Sequence, residues 1–408
     1  GRRRRNPRSL CHFVWRDPEP NTRAPACPPL VQQQKQVFCL FVSHDRQTLY
    51  KTLGRSSLVV PLSIPSCQKS ILVIGCGQFA FSTLAPRLLK LGIFSPIAYA
   101  YDPNTFSLRK FCVAYSAKPV DLSNLNHFDT SGIDLVYICS DHYSHFAYAK
   151  HFLLSGIDVY CEKPLTTSLP QLHDLASVIS SSSARFFAGY NRPHSSFVRT
   201  LRDTFISSDS KQLFLNFHVS GHFLTSDHWY RSSAQGSRIY GNLGHWIDLF
   251  VHTCFWLPEL PAVLDISIFY LDTFHSDENI LVHISDGKSI FASITFSCLT
   301  EPITGVNESL VFSSDKFTAR IRNFETMELD LSTSLRVFSH RHKSAGHVEA
   351  ICQPFSPHYR SDVEPLISEI LLSKIKSVVS SRGSSCSFDL KGELSDLYSL
   401  SAPDSSLS

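Results

Sequence analysis

Two spacings divide the chain. From Ser70 onward, short apolar runs alternate with stretches of helical spacing: Ile71-Leu72-Val73-Ile74 ends in glycine, and a helix is predicted over Phe79 to Leu91. Ile97 to Tyr101 then ends at Asp102, Asp134 to Cys139 leads into a predicted helix over Ser144 to Leu154, and Asp158 to Cys161 begins the next strand. Runs that are apolar throughout suit strands buried on both faces, and strands alternating with helices predict right-handed βαβ units in a parallel α/β sheet. After Tyr190 the period becomes two: Leu213, Leu215, Phe217 and Val219 share one face, while Asn216, His218 and Ser220 take the other. Ile280 to Ile284 and Ile290 to Phe296 flank Asp286-Gly287, and Leu310 to Phe312 and Phe317 to Ile321 flank Ser314-Asp315, the pattern of hairpins. The second half is therefore expected to be a mostly antiparallel sheet, with a helix near Val363 to Ser373.

The expected organisation is a leader over 1–68, a parallel α/β domain over 69–190, an α+β domain over 191–379, and a disordered Ser-rich tail over 380–408. The leader is rich in Pro, Arg and Gln with little periodicity beyond Val37 to Val42, so most of it is expected to be weakly folded. The chain opens on Gly1, which fits a fragment, a processed form or the tail of an upstream domain.

Composition narrows the function classes. With 408 residues, 43% hydrophobic and 18% charged, the chain can fill two cores. A net charge of +3, part of it from Arg2 to Arg5, gives no reason to expect a nucleic-acid partner. No run approaches the roughly 18 apolar residues of a membrane span. The twelve cysteines are scattered without a Cys-x-x-Cys pair, so neither a metal site nor a disulfide framework is expected, and a reducing, cytoplasmic setting fits.

The chemistry-bearing segment begins at Gly75-Cys76-Gly77-Gln78-Phe79-Ala80, a G-x-G-x-x-A turn between a strand and a helix. Gly75 permits the tight turn, Gly77 lets a pyrophosphate approach the backbone, and Ala80 allows close packing of helix on strand, with phosphates meeting the helix N-terminus. Asp102, at the end of the second strand, can accept from ribose hydroxyls and favours NAD over NADP; Asp102-Pro103-Asn104 also reads as a plain turn cap. Glu162-Lys163-Pro164 follows a strand, which places Glu162 and Lys163 at the carboxyl edge of the sheet, where such folds bind ligands.

Taken in order, the nucleotide turn, Ser140-Asp141-His142 with His145, Glu162-Lys163-Pro164, Gly189-Tyr190-Asn191-Arg192 and Gly244-His245-Trp246-Ile247-Asp248 resemble the Gfo/Idh/MocA family of glucose-fructose oxidoreductase and inositol dehydrogenase, over about 69 to 375. The resemblance implies a doubly wound α/β Rossmann domain that binds NAD(P) over 69–190 and a substrate-binding α+β domain with an open-faced, mostly antiparallel sheet over 191–379. It implies hydride transfer between nicotinamide and a secondary alcohol or carbonyl of a sugar, sugar nucleotide or cyclitol, with Lys163 and His245 catalytic. It implies cofactor contacts at Ser140, His145, Glu162, Lys163 and Asn191, besides the turn residues and Asp102. It also implies a homo-oligomer through the open sheet face. Beside an oxidised, positively charged nicotinamide an ammonium is disfavoured, which suits Lys163 to accepting the hydroxyl proton. Arg192, Trp229, Arg231, Asn242 and Asp248 are the expected substrate contacts, with Arg238 nearby. The family's pattern commonly has an acidic residue four positions before the histidine, where this chain has Gly241. That departure supports one rival, a nucleotide-binding sensor of the same fold without turnover, and the shared fold leaves a second, a glycoside hydrolase using NAD transiently.

Overall fold

The fold is that of a computed structural model, which describes residues 69–90, 97–271, 277–303, 305–356 and 359–399. They lie within one compact unit, Ser57–Ser408. The expected leader, Leu91 at the end of the first expected helix, and 400–408 of the expected tail fall outside the described residues.

The first half alternates as its apolar runs require. β1 (Ile71–Ile74) leads through a wide turn at Ala80–Leu84 into α1 (Ala85–Lys90). It is followed by β2 (Ile97–Tyr101), α2 (Thr105–Tyr115), β3 (Lys118–Pro119), β4 (Leu135–Ile138), α3 (His142–Leu154), β5 (Asp158–Cys161), α4 (Leu169–Ser181) and β6 (Phe186–Ala188). The six strands form a parallel sheet ordered β3-β2-β1-β4-β5-β6, so the chain reverses direction of travel between β1 and β4, and a crevice opens beyond the carboxyl ends there. Every residue of β1 and β4 is buried, because helices cover both faces. The expected helix from Phe79 is entered differently: the Ala85 amide bonds Ala80 O, five residues back, widening the first turn before regular helix begins.

α5 (Ser196–Ser207) leads into β7 (Leu213–Ser220), and α6 (Gly244–Cys254) precedes β8 (Val263–Tyr270). Next come β9 (Asn279–Ser285), β10 (Ile290–Ser297), β11 (Asn307–Ser314), β12 (Thr318–Arg322), β13 (Thr326–Asp330), β14 (Leu335–Ser339), α7 (His347–Ile351) and α8 (Val363–Ser380). Both hairpins form where alternation placed them, β9 with β10 and β11 with β12. The second sheet runs β14-β13-β12-β11-β7-β10-β9-β8-β15, where β15 is Ser385–Asp389, and is antiparallel except between β7 and β10. Its buried face packs under α6, where the Trp246 and Phe217 ring centroids are 6.2 Å apart. One apolar cluster runs from Leu72 and Val136 in the first sheet through Ile247 and Leu371 to Val282 and Ile321 in the second. α6 and α8 therefore bridge the two sheets instead of belonging to one.

The tail expected to be disordered from 380 is ordered over 385–399. α8 continues to Ser380, β15 (Ser385–Asp389) adds to β8 as the sheet's last strand, and α9 (Leu390–Ser399) follows. The segment is short of apolar residues, which hid it in the sequence. Those it has are well used: Phe388 is 3% exposed and Leu390 fully buried, while the backbone bonds of β15 cover the edge of β8. Removing the Phe388 ring leaves a cavity that so short a segment cannot close. Phe388→Ala is expected to lower unfolding stability by about 3 kcal/mol, read from denaturant melts; a passive tail would show no change.

Candidate nucleotide and substrate site

The turn after β1 is shaped for a ligand. Gly75 has φ +88°, and a Cβ there would lie 2.5 Å from the Cys139 and Ser140 backbone, so only glycine fits between β1 and β4. A Cβ on Gly77 would meet nothing within 4 Å, which leaves its outer side open. Ala80 is fully buried against the sheet. Gln78 is exposed, its amide bonding Ser82, and Phe79 packs at the rim of the apolar cluster on that face. Asp102 lies across the turn: Oδ2 accepts from the Cys76 amide and Oδ1 from the Asn104 amide, each at 2.7 Å. It is thus a turn cap, yet each oxygen keeps a second lone pair for a ligand hydroxyl. These features fit a dinucleotide at the carboxyl edge.

The second cluster gathers where β5, the loop before α6 and α6 itself meet. Lys163 follows β5 across a cis peptide to Pro164, and its Nζ donates to Gly241 O at 2.8 Å. Burial pushes the Glu162 carboxyl up to about 7, partly offset by Lys163 beside it and by the Tyr160 hydroxyl it accepts from at 2.9 Å. Burial holds the His245 imidazole well below its usual range, and Arg192 and Lys163 nearby reinforce this, so His245 is neutral. Two buried polar atoms here have no partner, His245 Nδ1 and Asn242 Oδ1. Buried polar atoms are rarely left so unless a ligand completes them.

Gly241 has a physical cause. A Cβ at that position would sit 2.7 Å from Tyr230 Cε2 and 3.0 Å from His142 Cε1. The segment 228–235 lies as a strap over the start of α3, with the Tyr230 and His142 rings 4.6 Å apart and Trp229 4.9 Å from His142. Gln235 fastens it, accepting from the Tyr143 amide at 3.1 Å and donating to Asp141 at 2.8 Å. Aromatic rings occupy the volume a carboxylate side chain at 241 would need.

Several expected contacts are already committed within the protein. Arg192 is buried on Glu308 and stacks over Trp246 at 5.0 Å. Arg231 donates to Leu224 O and Thr225 O and pairs with Glu278 at 2.8 Å. Asp248 is fully buried and held by Arg360 at 2.8 and 2.9 Å. Arg238 is spent on His222 O and the Cys298 thiol. All four anchor the loops around the site through these partners, because a buried ion needs its partner. Asn191 likewise donates to Ala345 O at 2.6 Å and accepts from Arg192 at 2.8 Å, joining loops behind the crevice. The buried His145 ring stands between Pro164 O at 2.7 Å and Ser140 O at 3.1 Å, so it braces the loops after β4 and β5. Ser140 stays partly exposed at the carboxyl end of β4, its hydroxyl against Ser144 at 2.7 Å, and Trp229 is 46% exposed on the strap.

Glu369 on α8 escaped sequence reasoning. It is fully buried and accepts from the Leu165 amide, the Thr166 amide at 3.0 Å, the Thr166 hydroxyl at 3.1 Å and the Tyr190 hydroxyl at 3.0 Å. Its signal was present: a single carboxylate inside the apolar run Leu366 to Leu372. His347, whose ring nitrogen is 3.4 Å from Asn191 Nδ2, and Lys343 were also missed, lying in a stretch without periodicity.

A parallel sheet with a glycine turn at its crevice, followed by an open-faced sheet whose helix brings a histidine to the same edge, defines a Rossmann-type nucleotide-binding protein. Residues 69–190 match the Gfo/Idh/MocA model, described as an oxidoreductase family with an NAD-binding Rossmann fold. The similarity to that family thus lies in the nucleotide-binding part of the chain. YceM of Salmonella typhimurium, named as an oxidoreductase, is 25% identical over 131 residues, which is 32% of this chain and 41% of that protein. The chain thus matches about two fifths of that relative's length. Among solved structures, the dehydrogenase MviM from Clostridium difficile superposes with a TM-score of 0.59 at 17% identity, covering 76% of this chain and 99% of that one. An oxidoreductase from Agrobacterium radiobacter in complex with NAD+, L-tartaric acid and magnesium gives 0.63 at 13% identity, covering 80% and 99%. At these identities the two structures share the fold with this chain.

Among the described residues no helix is long and apolar enough to cross a membrane, and no group of three or more His, Cys, Asp or Glu is placed to hold a metal. The two turn glycines differ in what surrounds them, which separates fold from binding. Gly75→Ala is expected to lower thermal stability and abolish nucleotide binding together, whereas Gly77→Ala should melt like the wild type and weaken NAD binding about 10-fold or more by filling the open approach. Calorimetric titration with NAD checks both; equal NAD affinity in Gly77→Ala would remove that glycine from the site.

Proposed function

We propose that the chain is an NAD-dependent dehydrogenase or reductase acting on a secondary alcohol or its carbonyl in a sugar, sugar nucleotide or cyclitol. The observation that carries this reading is the hydrogen bond of Lys163 Nζ to Gly241 O, four residues before His245, which puts Lys163 within electrostatic reach of the neutral His245 ring and its unpartnered Nδ1. A bound nicotinamide supplies the hydride acceptor or donor. Lys163 moves the hydroxyl proton at Nζ, and its position is fixed by the Gly241 carbonyl in front and Glu369 behind. His245, neutral and short of a partner, orients the substrate hydroxyl by a hydrogen bond, and Asn242 Oδ1 takes a second one. Trp229 and Tyr230 give the site an apolar wall that limits water.

NAD is preferred to NADP on the same reasoning. A 2′-phosphate would approach the Asp102 carboxylate, which the Cys76 and Asn104 amides hold in place. A row of aromatic rings on the outer face of the second sheet, Phe214 on Phe291 at 4.9 Å and His283 on Phe291 at 5.7 Å, supports a homo-oligomer through that face. The eight cysteines of the described residues are free thiols, which supports a cytoplasmic setting. One observation favours a nucleotide sensor instead: Tyr230 and His142 leave no room at 241 for an acidic partner of Lys163.

Lys163→Met separates the two readings. Its cofactor affinity should stay within a few-fold of wild type, while turnover on an accepted alcohol falls by about 100-fold or more, the usual share of general acid/base catalysis. Unchanged turnover would remove Lys163 from the chemistry, and NAD binding without turnover on any polyol or sugar nucleotide would favour the sensor. For the cofactor, Asp102→Ala is expected to narrow the NAD over NADP preference to within a few-fold in paired titrations; a wild-type preference for NADP would leave Asp102 as a turn cap alone.

A further inference from the structure

Positive charge is in excess around the candidate substrate site. Glu308 is almost fully buried, yet it serves two cations, Arg192 at 2.5 Å and Lys343 at 2.7 Å. Lys163 adds a third positive charge, and its hydrogen bond goes to an uncharged carbonyl, Gly241 O. Glu162, next to it, is held up near 7 by burial and is therefore only partly ionised at neutral pH. Position 241 can add no carboxylate, since its side-chain space belongs to Tyr230 and His142.

The imidazoles register this imbalance. After burial, the strongest influences on His245 are Arg192, Lys163, His347 and Lys343, and those on His347 are Arg192, Arg87, Lys343 and Lys163. Cations dominate both environments. Uncompensated positive charge in a poorly solvated crevice is costly, and an anion placed there gains charge-assisted hydrogen bonds at close to their full strength. Lys343 is able to supply one: its Nζ donates to Val306 O at 2.9 Å and pairs with Glu308, which leaves the third ammonium hydrogen of a side chain that is 34% exposed.

We propose that the substrate carries an anionic group, a carboxylate or a phosphate, close to the reacting alcohol, and that Lys343 with His347 forms the subsite for it. This rests on the dehydrogenase reading above and names its substrate class as sugar acids or sugar phosphates. Lys343 and His347 bind the anion, and Lys163 and His245 face the carbinol.

The test titrates NADH-loaded protein by calorimetry with matched pairs: D-galacturonate against D-galactose, D-glucuronate against D-glucose, and D-glucose 6-phosphate against D-glucose, with inorganic phosphate as a fragment. At least one anionic member should bind about 10-fold or more tightly than its neutral partner. Whether that is a uronate or the phosphate ester identifies the anion. In Lys343→Met, which keeps Arg192 on Glu308, the gap should shrink to about 3-fold or less, and Lys343→Arg should restore it. Thermal melts of both variants check that they fold.

Equal binding of neutral and anionic members would overturn the proposal. So would binding of no anion to NADH-loaded protein, or a gap that persists in Lys343→Met. A loss of NADH affinity in Lys343→Met with the gap intact would assign the charge to the cofactor and overturn it too. Failure of NADH itself to bind would be a different result, because it removes the dehydrogenase reading and the subsite with it.

Discussion

The site depends on one buried carboxylate. Glu369 enters from α8, a helix packed against α6 and α4, and its two oxygens accept four hydrogen bonds. Three come from Leu165 and Thr166, directly after Lys163-Pro164; the fourth is from Tyr190, whose ring meets the edge of His245 at 6.0 Å. One group therefore fixes the loop that carries Lys163 and the aromatic side chain that backs His245. Burial pushes this carboxyl up to about 7 against the donors that favour its charged form. Stripping such a group of its partners costs several kcal/mol, so the loop after β5 is held by more than its own turn.

This bracing explains how a two-sheet protein can build a site from both halves. The Rossmann sheet supplies the glycine turn and Lys163 at its carboxyl edge, while α6 supplies His245 from the second half. Hydrophobic burial joins the halves without fixing the distance between two particular side chains, because apolar contact is non-directional. Hydrogen bonds with set lengths do that. Glu369 to Thr166, His145 to Pro164 and Gln235 to Asp141 each tie a loop to a separate part of the chain. The first two are buried, and the third lies at the surface.

The fold was legible because its signals are periodic. β1, β4, β7 and the two hairpins were read from runs and alternation that burial enforces residue by residue. The segment 385–399 was not, since two well-buried side chains, Phe388 and Leu390, are too few to make a period. The glycine turn and Lys163 could be placed in sequence because topology alone puts them at the sheet edge. The partners of Arg192, Arg231 and Asp248 were not legible for the opposite reason: a charged residue in a motif looks available until its partner is known, and Glu308, Glu278 and Arg360 lie 47 to 116 residues away. Glu369 gave a local signal, a carboxylate in an apolar helix, but nothing in its neighbourhood said what it would hold.

Gly241 joins these strands of reasoning. In the sequence it was a missing acid; in the structure it is a place where Tyr230 and His142 press against the backbone, so the glycine follows from the strap. The strap in turn is held by Gln235 on the start of α3, a contact that involves neither Lys163 nor His245. A carboxylate at 241 would have neutralised Lys163 locally. Without it Lys163 rests on a carbonyl, and the charge excess it shares with Arg192 and Lys343 is left for something outside the chain to balance. Substituting 241 alone would drive a side chain into Tyr230 at 2.7 Å, so restoring an acid there first requires a smaller residue at 230. Charge and shape are coupled in this site through the strap, and a change in one demands a change in the other.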